Sequence, residues 1–354
     1  MAILAVKQMA NENRPRVPIS ADWVLKRIQE GKRVRLRNAV IEGDIDLNKL
    51  DLPTGRIDQT EFQKKMGLAE DVKIIQSSIK ITHSTIKGRL NFRNSYFKKV
   101  ARFDRATFSE DAVFSEATFN DYARFDGATF NDYAGFNEAT FNDYAGFSGA
   151  TFNSFARFDG ATFNSFAGFS GATFNGYAGF SGAKFEGEVL TFRGTTFILA
   201  QSQEEACRKA KNILEKNGNR EEAGYHFYRE MDAKRKRKPW YIRYPEYVFV
   251  QLIFGYGVHP FRLMFCWFLV AVIFALFYSV KGGVIGKLPA SSLPQPWSYL
   301  VECFYFSVVT AVTPGYGKYE LTSWAYQVGA SIEAIFGTFM WAAFIATFAR
   351  KYMR

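Results

Sequence analysis

The sequence predicts a membrane protein with two structural classes in one chain: an N-terminal β-solenoid and a C-terminal all-α domain with two membrane crossings. The first prediction rests on large apolar residues that recur in alternating steps of five and six. The second rests on two apolar segments, 261–280 and 324–348, each long enough as a helix to cross a bilayer core of about 30 Å. A shorter apolar segment, 297–309, lies between them and is followed by Thr-Ala-Val-Thr-Pro-Gly-Tyr-Gly.

Length and composition limit the classes of function. The chain has 354 residues and a formal net charge of +11, and its basic excess gathers around the C-terminal apolar segments. This distribution favours a membrane surface over a nucleic-acid groove as the partner. The three cysteines, Cys207, Cys266 and Cys303, are too scattered for a disulfide framework or a metal site. With no nucleophile–base pair or phosphate-binding loop in the sequence, we expect neither enzymatic activity nor a cofactor.

Residues 1–33 are predicted to form a polar tail and a capping helix. Ser20 is a suitable N-cap for a helix from Ala21 to about Glu30, and Gly31 is a suitable stop. A repeat stack needs a cap on its first exposed layer, which this helix would provide. The tail has no sustained apolar core, so we expect no signal peptide and a cytoplasmic N-terminal region.

The internal repeat is the most regular feature of the chain. An alanine precedes each phenylalanine of the repeat by two places, at Phe103, Phe108, Phe114, Phe119, Phe125, Phe130, Phe136, Phe141, Phe147, Phe152, Phe158, Phe163, Phe169, Phe174, Phe180 and Phe185. Apolar residues continue the steps backwards at Leu36, Ile41, Leu47, Leu52, Ile75, Ile81, Ile86, Phe92 and Phe97. The segment Pro53–Val72 interrupts them and is interpreted as an inserted loop. An eleven-residue period also occurs in coiled coils, but those need apolar steps of three and four and good helix formers.

The blocks, of the type A-x-F-x-x-A-T-F-N-x-x, resemble the pentapeptide-repeat family over roughly Leu36–Phe197, and the solenoid domain is predicted at 34–200. The resemblance implies a right-handed quadrilateral β-helix with the phenylalanines stacked along its axis. Asparagines recur at the predicted turns, at Asn120, Asn131, Asn142, Asn153, Asn164 and Asn175. Asparagine tolerates a left-handed backbone, and stacked asparagines can form a ladder of side-chain hydrogen bonds. We interpret this ladder as architecture. Members of this family often act through protein surfaces, so a cytoplasmic protein or ligand is a candidate partner of the solenoid.

Two segments follow the solenoid. Residues 201–238 are predicted to be a helical linker with helices at Glu204–Leu214 and Glu221–Ala233. Residues 239–260 begin after a run of five basic residues and open with Pro-Trp-Tyr. A basic run followed by Trp and Tyr is typical of a segment that lies at the lipid bilayer interface. Nucleic-acid binding is not expected because no base-stacking or groove-reading motif accompanies the basic run.

Residues 261–354 resemble a two-transmembrane potassium-channel subunit. The order is an outer helix 261–280, a re-entrant pore helix 297–309, a filter 310–317 and an inner helix 324–348. The resemblance implies a homotetramer that conducts K⁺, with Na⁺ as the alternative ion. The ions would be held by backbone carbonyls of Thr313, Pro314, Gly315 and Tyr316, with Gly317 completing the filter.

The resemblance also assigns roles around the filter. Tyr305 and Phe306 occupy positions where the family carries aromatic residues that brace the filter tyrosine, and the pore helix would direct the negative end of its dipole, near Thr310, at a central cavity. Gly337 lies twenty residues beyond Gly317, which matches the hinge glycine of the inner helix, although close helix packing is an equal alternative. Glu333 would either attract cations at the cavity or bond to a neighbouring helix.

Two departures from the family bear on selectivity. Pro314 stands where the family most often has Val or Ile, and it fixes backbone geometry at the innermost ion site. Lys318 replaces the usual Asp, so access of cations to the outer mouth should be weaker and more salt-dependent. A non-selective cation channel is therefore the alternative to a potassium channel.

Basic residues flank both crossings, before 261 and at Arg350, Lys351 and Arg354. This pattern predicts a cell-membrane protein with both termini in the cytoplasm. The leading hypothesis is a cation channel whose cytoplasmic solenoid regulates or anchors it. A different class of function remains open, a membrane-anchored scaffold in which the solenoid binds a partner protein.

Overall fold

The computed structural model describes residues 17–56, 71–187, 190–258, 260–280, 282–285, 297–312 and 319–352. The chain divides into two compact units, Met1–Arg237 and Lys238–Arg354. The first unit is a β-solenoid with helices at both ends, and the second is a helical domain.

Strands of the first unit form four sheets in the described residues, and these sheets are the four sides of the solenoid. Sheet 1 contains Val34–Arg37, Ile79–Thr82, Ala101–Arg102, Ala123–Arg124, Ala145–Gly146, Ala167–Gly168 and Leu190–Thr191. Sheet 2 contains Val17–Ser20, Ala39–Glu42, Thr85–Ile86, Thr107–Phe108, Thr129–Phe130, Thr151–Phe152, Thr173–Phe174 and Thr196–Phe197.

The other two sides are built in the same way. Sheet 3 contains Ile45–Asp46, Leu90–Asn91, Ala112–Val113, Ala134–Gly135, Ala156–Arg157 and Ala178–Gly179. Sheet 4 contains Thr54–Arg56, Asp71–Ile75, Ser95–Phe97, Thr118–Phe119, Thr140–Phe141, Thr162–Phe163 and Lys184–Phe185. A short 3₁₀ turn, Leu47–Lys49, follows the first strand of sheet 3.

Register in the sheets explains the eleven-residue period. Thr107 pairs in parallel with Thr129, and Phe108 with Phe130, so one coil of the solenoid takes two sequence blocks. The predicted insertion is confirmed where the described strand Thr54–Arg56 pairs antiparallel with Asp71–Ile75, because the chain leaves and rejoins the same side there. Residues 57–70 of that insertion lie outside the described residues.

The core consists of four columns of phenylalanine rings. Within a column the rings stack, as at Phe130 and Phe152, whose centroids are 4.8 Å apart with an interplanar angle of 1°. Between columns they meet edge to face, as at Phe136 and Phe147 with an angle of 83°. Both arrangements suit the ring quadrupole, and the stacking distance matches the spacing of paired strands. The predicted axial stack of phenylalanines is confirmed.

Asparagine ladders run along two corners. The Asn153 amide donates to Asn131 at 3.0 Å, and the Asn175 amide donates to Asn153 at 2.9 Å. The second ladder joins Asn164 to Asn142 at 2.9 Å. These bonds satisfy polar side chains that repeat in every coil, as the sequence predicts.

Helix α1, Ala21–Gln29, closes the first coil. The Ser20 hydroxyl accepts a hydrogen bond from the Asp22 amide at 3.2 Å, which is the capping role that its position predicts. Val24 and Ile28 are buried in the same core cluster as the solenoid. The helix therefore covers the apolar end of the stack.

Helices α2, Ala200–Lys216, and α3, Arg220–Lys236, close the other end of the stack. Ala206 and Ala210 of α2 belong to the solenoid core, and the Ser202 hydroxyl accepts a bond from the Ala178 amide at 3.0 Å. Residues 201–237 thus belong to the solenoid unit, which differs from the expected helical linker. The physical reason is that the last coil exposes apolar rings and open backbone groups, and both need a cover.

The second unit begins with helix α4, Trp240–Pro245, which continues as a π-helix, Glu246–Ile253, and a 3₁₀ turn, Gly255–Gly257. Its three longer helices are α5, Pro260–Ser279, α6, Trp297–Val312, and α7, Trp324–Tyr352. Strands Val284–Ile285 and Glu320–Leu321 pair antiparallel between them.

Candidate functional site

Helices α5, α6 and α7 enclose a small apolar cluster on their shared side. Its buried members are Ala275 and Tyr278 of α5, Cys303 and Phe306 of α6, Ala330 of α7, and Val284 of the short strand after α5. Helices α5 and α7 are long and apolar enough to cross a membrane, whereas α6 is shorter. At 1.5 Å per residue, α6 reaches only part of the way through a bilayer core.

The Glu333 carboxyl lies inside this arrangement and contacts both neighbouring helices. The Tyr278 hydroxyl of α5 donates to Glu333 Oε2 at 2.7 Å, and the Ser307 hydroxyl of α6 lies within hydrogen-bond distance of Glu333 Oε1. Glu333 is fully buried within a single chain. Of the two sequence alternatives, the structure places this side chain in contact with neighbouring helices.

Gly337 lies one turn further along α7, where the helix backbone touches α6. A Cβ added to Gly337 would lie 2.2 Å from the Ala311 carbonyl oxygen and 2.7 Å from the Ala311 Cα. Only a residue without a side chain permits this approach. Gly337 therefore permits close packing of α7 against α6, whereas its role as a hinge stays a prediction.

The three predicted support residues lie near the C-terminal end of α6. Phe306 is buried, with its ring 5.0 Å from that of Tyr278 and 5.6 Å from that of Tyr319. Tyr305 is 47% exposed, and its ring is 6.1 Å from that of Tyr319. Thr310 is buried, and its hydroxyl has no hydrogen-bond partner within the part of the chain that the structure describes.

The filter stretch was expected to begin at Thr310, but α6 continues as a helix to Val312. The physical reason is that Thr310, Ala311 and Val312 carry no helix-breaking feature, and the first residue in the sequence that restricts a helix is Pro314. The predicted filter residues Thr313, Pro314, Gly315, Tyr316 and Gly317, together with Lys318, lie outside the described residues.

The outer faces of the helices carry large apolar side chains. On α5 these include Phe261, Phe265 and Ile273, which are 60–66% exposed, and on α7 they include Ile335 and Ile345. The segment before α5 exposes aromatic rings as well, with Trp240 at 80% exposure. Such faces suit lipid or further copies of the chain rather than water.

Comparison with known families connects this geometry to a function. Residues 263–354 match a family model described as ion channel, and residues 92–140 and 136–184 match one described as pentapeptide repeats, in nine copies. The chain is a pentapeptide-repeat solenoid fused to an ion-channel domain. A search of the curated proteins and of the solved structures finds no match to this chain.

The two matches confirm both predicted resemblances and the predicted fold classes. The ion-channel match covers α6, α7 and most of α5, so all the contacts of Glu333 and Gly337 lie within the ion-channel domain. The pentapeptide-repeat match covers the regular coils with the stacked phenylalanines. The apolar helices α5 and α7 place the ion-channel domain in a membrane with two crossings.

Two residues that contact Glu333 were not predicted from the sequence. Tyr278 and Ser307 are the partners of Glu333, and neither belongs to a recognisable motif. Their signal is that each places a hydroxyl in a largely apolar segment, where a polar group needs a partner.

Proposed function

We propose that the protein is a homotetrameric, potassium-conducting channel in the cell membrane, with its solenoid and both termini in the cytoplasm. The observation that carries the proposal is the contact between Gly337 and Ala311, together with the ion-channel match. This contact fixes the C-terminal turn of α6 directly before the Thr-Pro-Gly-Tyr-Gly string. A helix that ends there directs the negative end of its dipole towards a passing cation.

Four copies are needed because one chain cannot enclose a path. The apolar faces of α5 and α7 remain exposed in the single chain, and a selectivity filter is a ring of carbonyls from several chains. A closed ring of identical subunits covers the same patch on each copy. Mass measurement of the detergent-solubilised protein tests this part, and a mass of four chains is expected.

Ion flux tests the conduction path. Purified protein in proteoliposomes should pass K⁺. Thr313→Ala or Gly315→Ala should either abolish this K⁺ flux or let other cations pass as well. Thr129→Ala, on the solenoid, is the matched control and should leave the flux unchanged. Flux that is insensitive to both filter changes would contradict the proposed path, and absence of any flux would favour a membrane-anchored scaffold.

Selectivity is tested by recording with K⁺ on one side of a planar bilayer and Na⁺ on the other. A potassium channel gives a reversal potential that follows K⁺, whereas a non-selective channel reverses near zero. Pro314→Val restores the residue that similar channels carry, and we expect it to strengthen the preference for K⁺.

The solenoid is proposed to be a regulatory or interaction module. The α2 and α3 helices belong to the solenoid unit, so a clean removal ends at Arg237 rather than at residue 200. A chain that begins at Lys238 should still conduct but with altered open probability. An unaltered open probability would leave the solenoid with an anchoring role only.

A further inference from the structure

The contacts of Glu333 form a short chain of polar groups in an apolar surrounding. The Tyr278 hydroxyl donates to Glu333 Oε2 at 2.7 Å, Glu333 Oε1 contacts Ser307 Oγ, and Ser307 Oγ lies 2.8 Å from the Ala271 carbonyl oxygen. Tyr278, Ser307 and Glu333 are each fully buried. This series of polar contacts links α5, α6 and α7 to one another.

Counting protons along this chain indicates the state of the carboxyl. Ser307 has one hydroxyl proton but lies next to two oxygens, Ala271 O and Glu333 Oε1. If Glu333 is ionised, both of these oxygens can only accept, so one contact has no proton between its atoms. If Glu333 carries a proton, it donates to Ser307, Ser307 donates to Ala271 O, and Tyr278 donates to Oε2. Only the protonated form satisfies all three contacts.

Burial supports the same state. A carboxylate without a counter-ion is costly in an apolar interior. Within the described part of the chain, the groups that act on the Glu333 carboxyl are the Ser307 and Tyr278 hydroxyls, and no cationic side chain is among them. Among the side chains that the structure describes, the titratable or charged ones on the elements packed around it, besides Tyr278, are Arg262, Cys266, Tyr299, Glu302, Cys303, Tyr305, Tyr319, Glu320 and Tyr326.

The chain of bonds is also in register with the glycine contact. Ser307 and Ala311 are one turn apart on α6, and their partners Glu333 and Gly337 are one turn apart on α7. The contact between Ser307 and Glu333 therefore also sets the contact between Ala311 and Gly337. The latter contact determines where the last turn of α6 lies, immediately before Thr313.

We propose that Glu333 carries a proton and is a positioning residue, whose neutral carboxyl holds the inner helix α7 against α5 and α6. It does not act as a cation-attracting carboxylate of the cavity. The role in conduction rests on the proposed channel function, whereas the protonation state does not. Loss of the proton would leave Ser307 with one proton for two acceptors, so either its contact with Glu333 on α7 or its contact with Ala271 on α5 would be lost.

Infrared spectroscopy of the full chain in lipid at neutral pH tests the proton directly. We expect a carbonyl stretching band of a protonated carboxyl that shifts in D₂O and disappears in Glu333→Gln. The matched control is Glu320→Gln in the exposed hairpin, which should leave the band in place. Absence of the band, or its survival in Glu333→Gln, would overturn the proposal whether or not the protein conducts.

Bilayer recording then tests the positioning role. Glutamine can donate to Ser307 and accept from Tyr278, so Glu333→Gln should conduct as the wild type does, and alkaline pH should alter the wild type but not this variant. Glu333→Ala should change the ratio of open to closed channels by about tenfold, a factor that corresponds to about 1.4 kcal/mol. Equal changes in both variants would show that the ionisable carboxyl, not the bond, matters, and no change in either would show that neither matters; both results would contradict the proposal.

Discussion

The backbone of Gly337 in α7 lies directly against the backbone of Ala311 in α6: a Cβ on Gly337 would lie 2.2 Å from the Ala311 carbonyl oxygen. One turn earlier on each helix, Glu333 contacts Ser307. The inner helix and the shorter helix are thus held together at two successive turns. This relationship ties the position of α7 to the last turn of α6, which directly precedes Thr313.

The first prediction concerns Gly337→Ala. A methyl group at this position meets backbone atoms that cannot rotate away, so the helices must separate. Overpacking of this kind costs about 1–3 kcal/mol, against a gain of up to about 1 kcal/mol in helix propensity. We expect a lower melting temperature of the detergent-solubilised protein, together with altered channel opening.

Gly329→Ala is the matched control for this prediction. An added Cβ there would lie 2.7 Å from the ring edge of Phe277, and a ring can turn. We expect the loss of stability to be smaller than for Gly337→Ala. If Gly337→Ala alters opening but keeps the wild-type melting temperature, Gly337 acts as a hinge instead.

The second prediction concerns the ring columns. Phe130 is buried between Phe108 and Phe152, at centroid distances of 4.6 and 4.8 Å. Phe130→Ala should destabilise the solenoid by about 3–5 kcal/mol, because neighbouring coils cannot collapse into the cavity. Thermal unfolding followed by circular dichroism measures the loss.

Phe155→Ala provides the comparison on the same solenoid. Phe155 stands at an outer corner and is 56% exposed. A surface change of this kind should stay within about 0.5 kcal/mol of the wild type. Similar losses for Phe130→Ala and Phe155→Ala would contradict a core made of the inner columns.

The solenoid could be predicted from sequence because its geometry repeats. In the regular coils the inward positions recur after 22 residues, as the pairing of Phe108 with Phe130 shows, so the spacing of phenylalanines reports the coil itself. The end of α6 could not be predicted in the same way. The motif suggested that the helix stops at Val309, but nothing in Thr310, Ala311 or Val312 ends a helix.

The buried polar residues of α3 could not be predicted from the sequence either. His226 and Glu230 lie on the buried face of α3 with Ala223 and Ala233, so this face does not read as an apolar stripe. Glu230 is held by Lys211 at 3.0 Å and Lys234 at 2.7 Å. Lys211 lies on the other helix, α2, and a partner of that kind is not revealed by periodicity alone.

The third prediction is a loss of solenoid stability in acid. His226 is fully buried beside the Phe192 ring, and neither ring nitrogen has a hydrogen-bond partner among the described residues. Burial, and then the nearby Arg229 and Arg193 guanidinium groups, lower the pKa of His226 from 6.5 to about 4. The unfolded chain therefore binds a proton before the folded chain does. The loss begins as pH falls below about 6.5 and is complete near pH 4, reaching about 3 kcal/mol.

Melting temperatures measured between pH 7 and pH 4 test this prediction. His226→Phe should remove the part of the acid-dependent loss that His226 contributes. His83→Asn serves as the control, because Asn tolerates the positive φ of 53° at that position, and it should keep the wild-type slope. An unchanged slope in His226→Phe would show that other groups cause the loss.

The fourth prediction concerns the charge at the proposed outer mouth. Lys318→Asp replaces a positive charge with a negative one in each subunit, so cations should gather there and conductance should rise. The Debye length is about 10 Å at 0.1 M salt and about 3 Å at 1 M, so the increase should be large in dilute salt and nearly vanish at 1 M. Lys184→Asp makes the same change of charge on the solenoid and should have no comparable effect. A salt-independent increase, or an equal increase in both variants, would mean that Lys318 does not act through the field at the mouth of the pore.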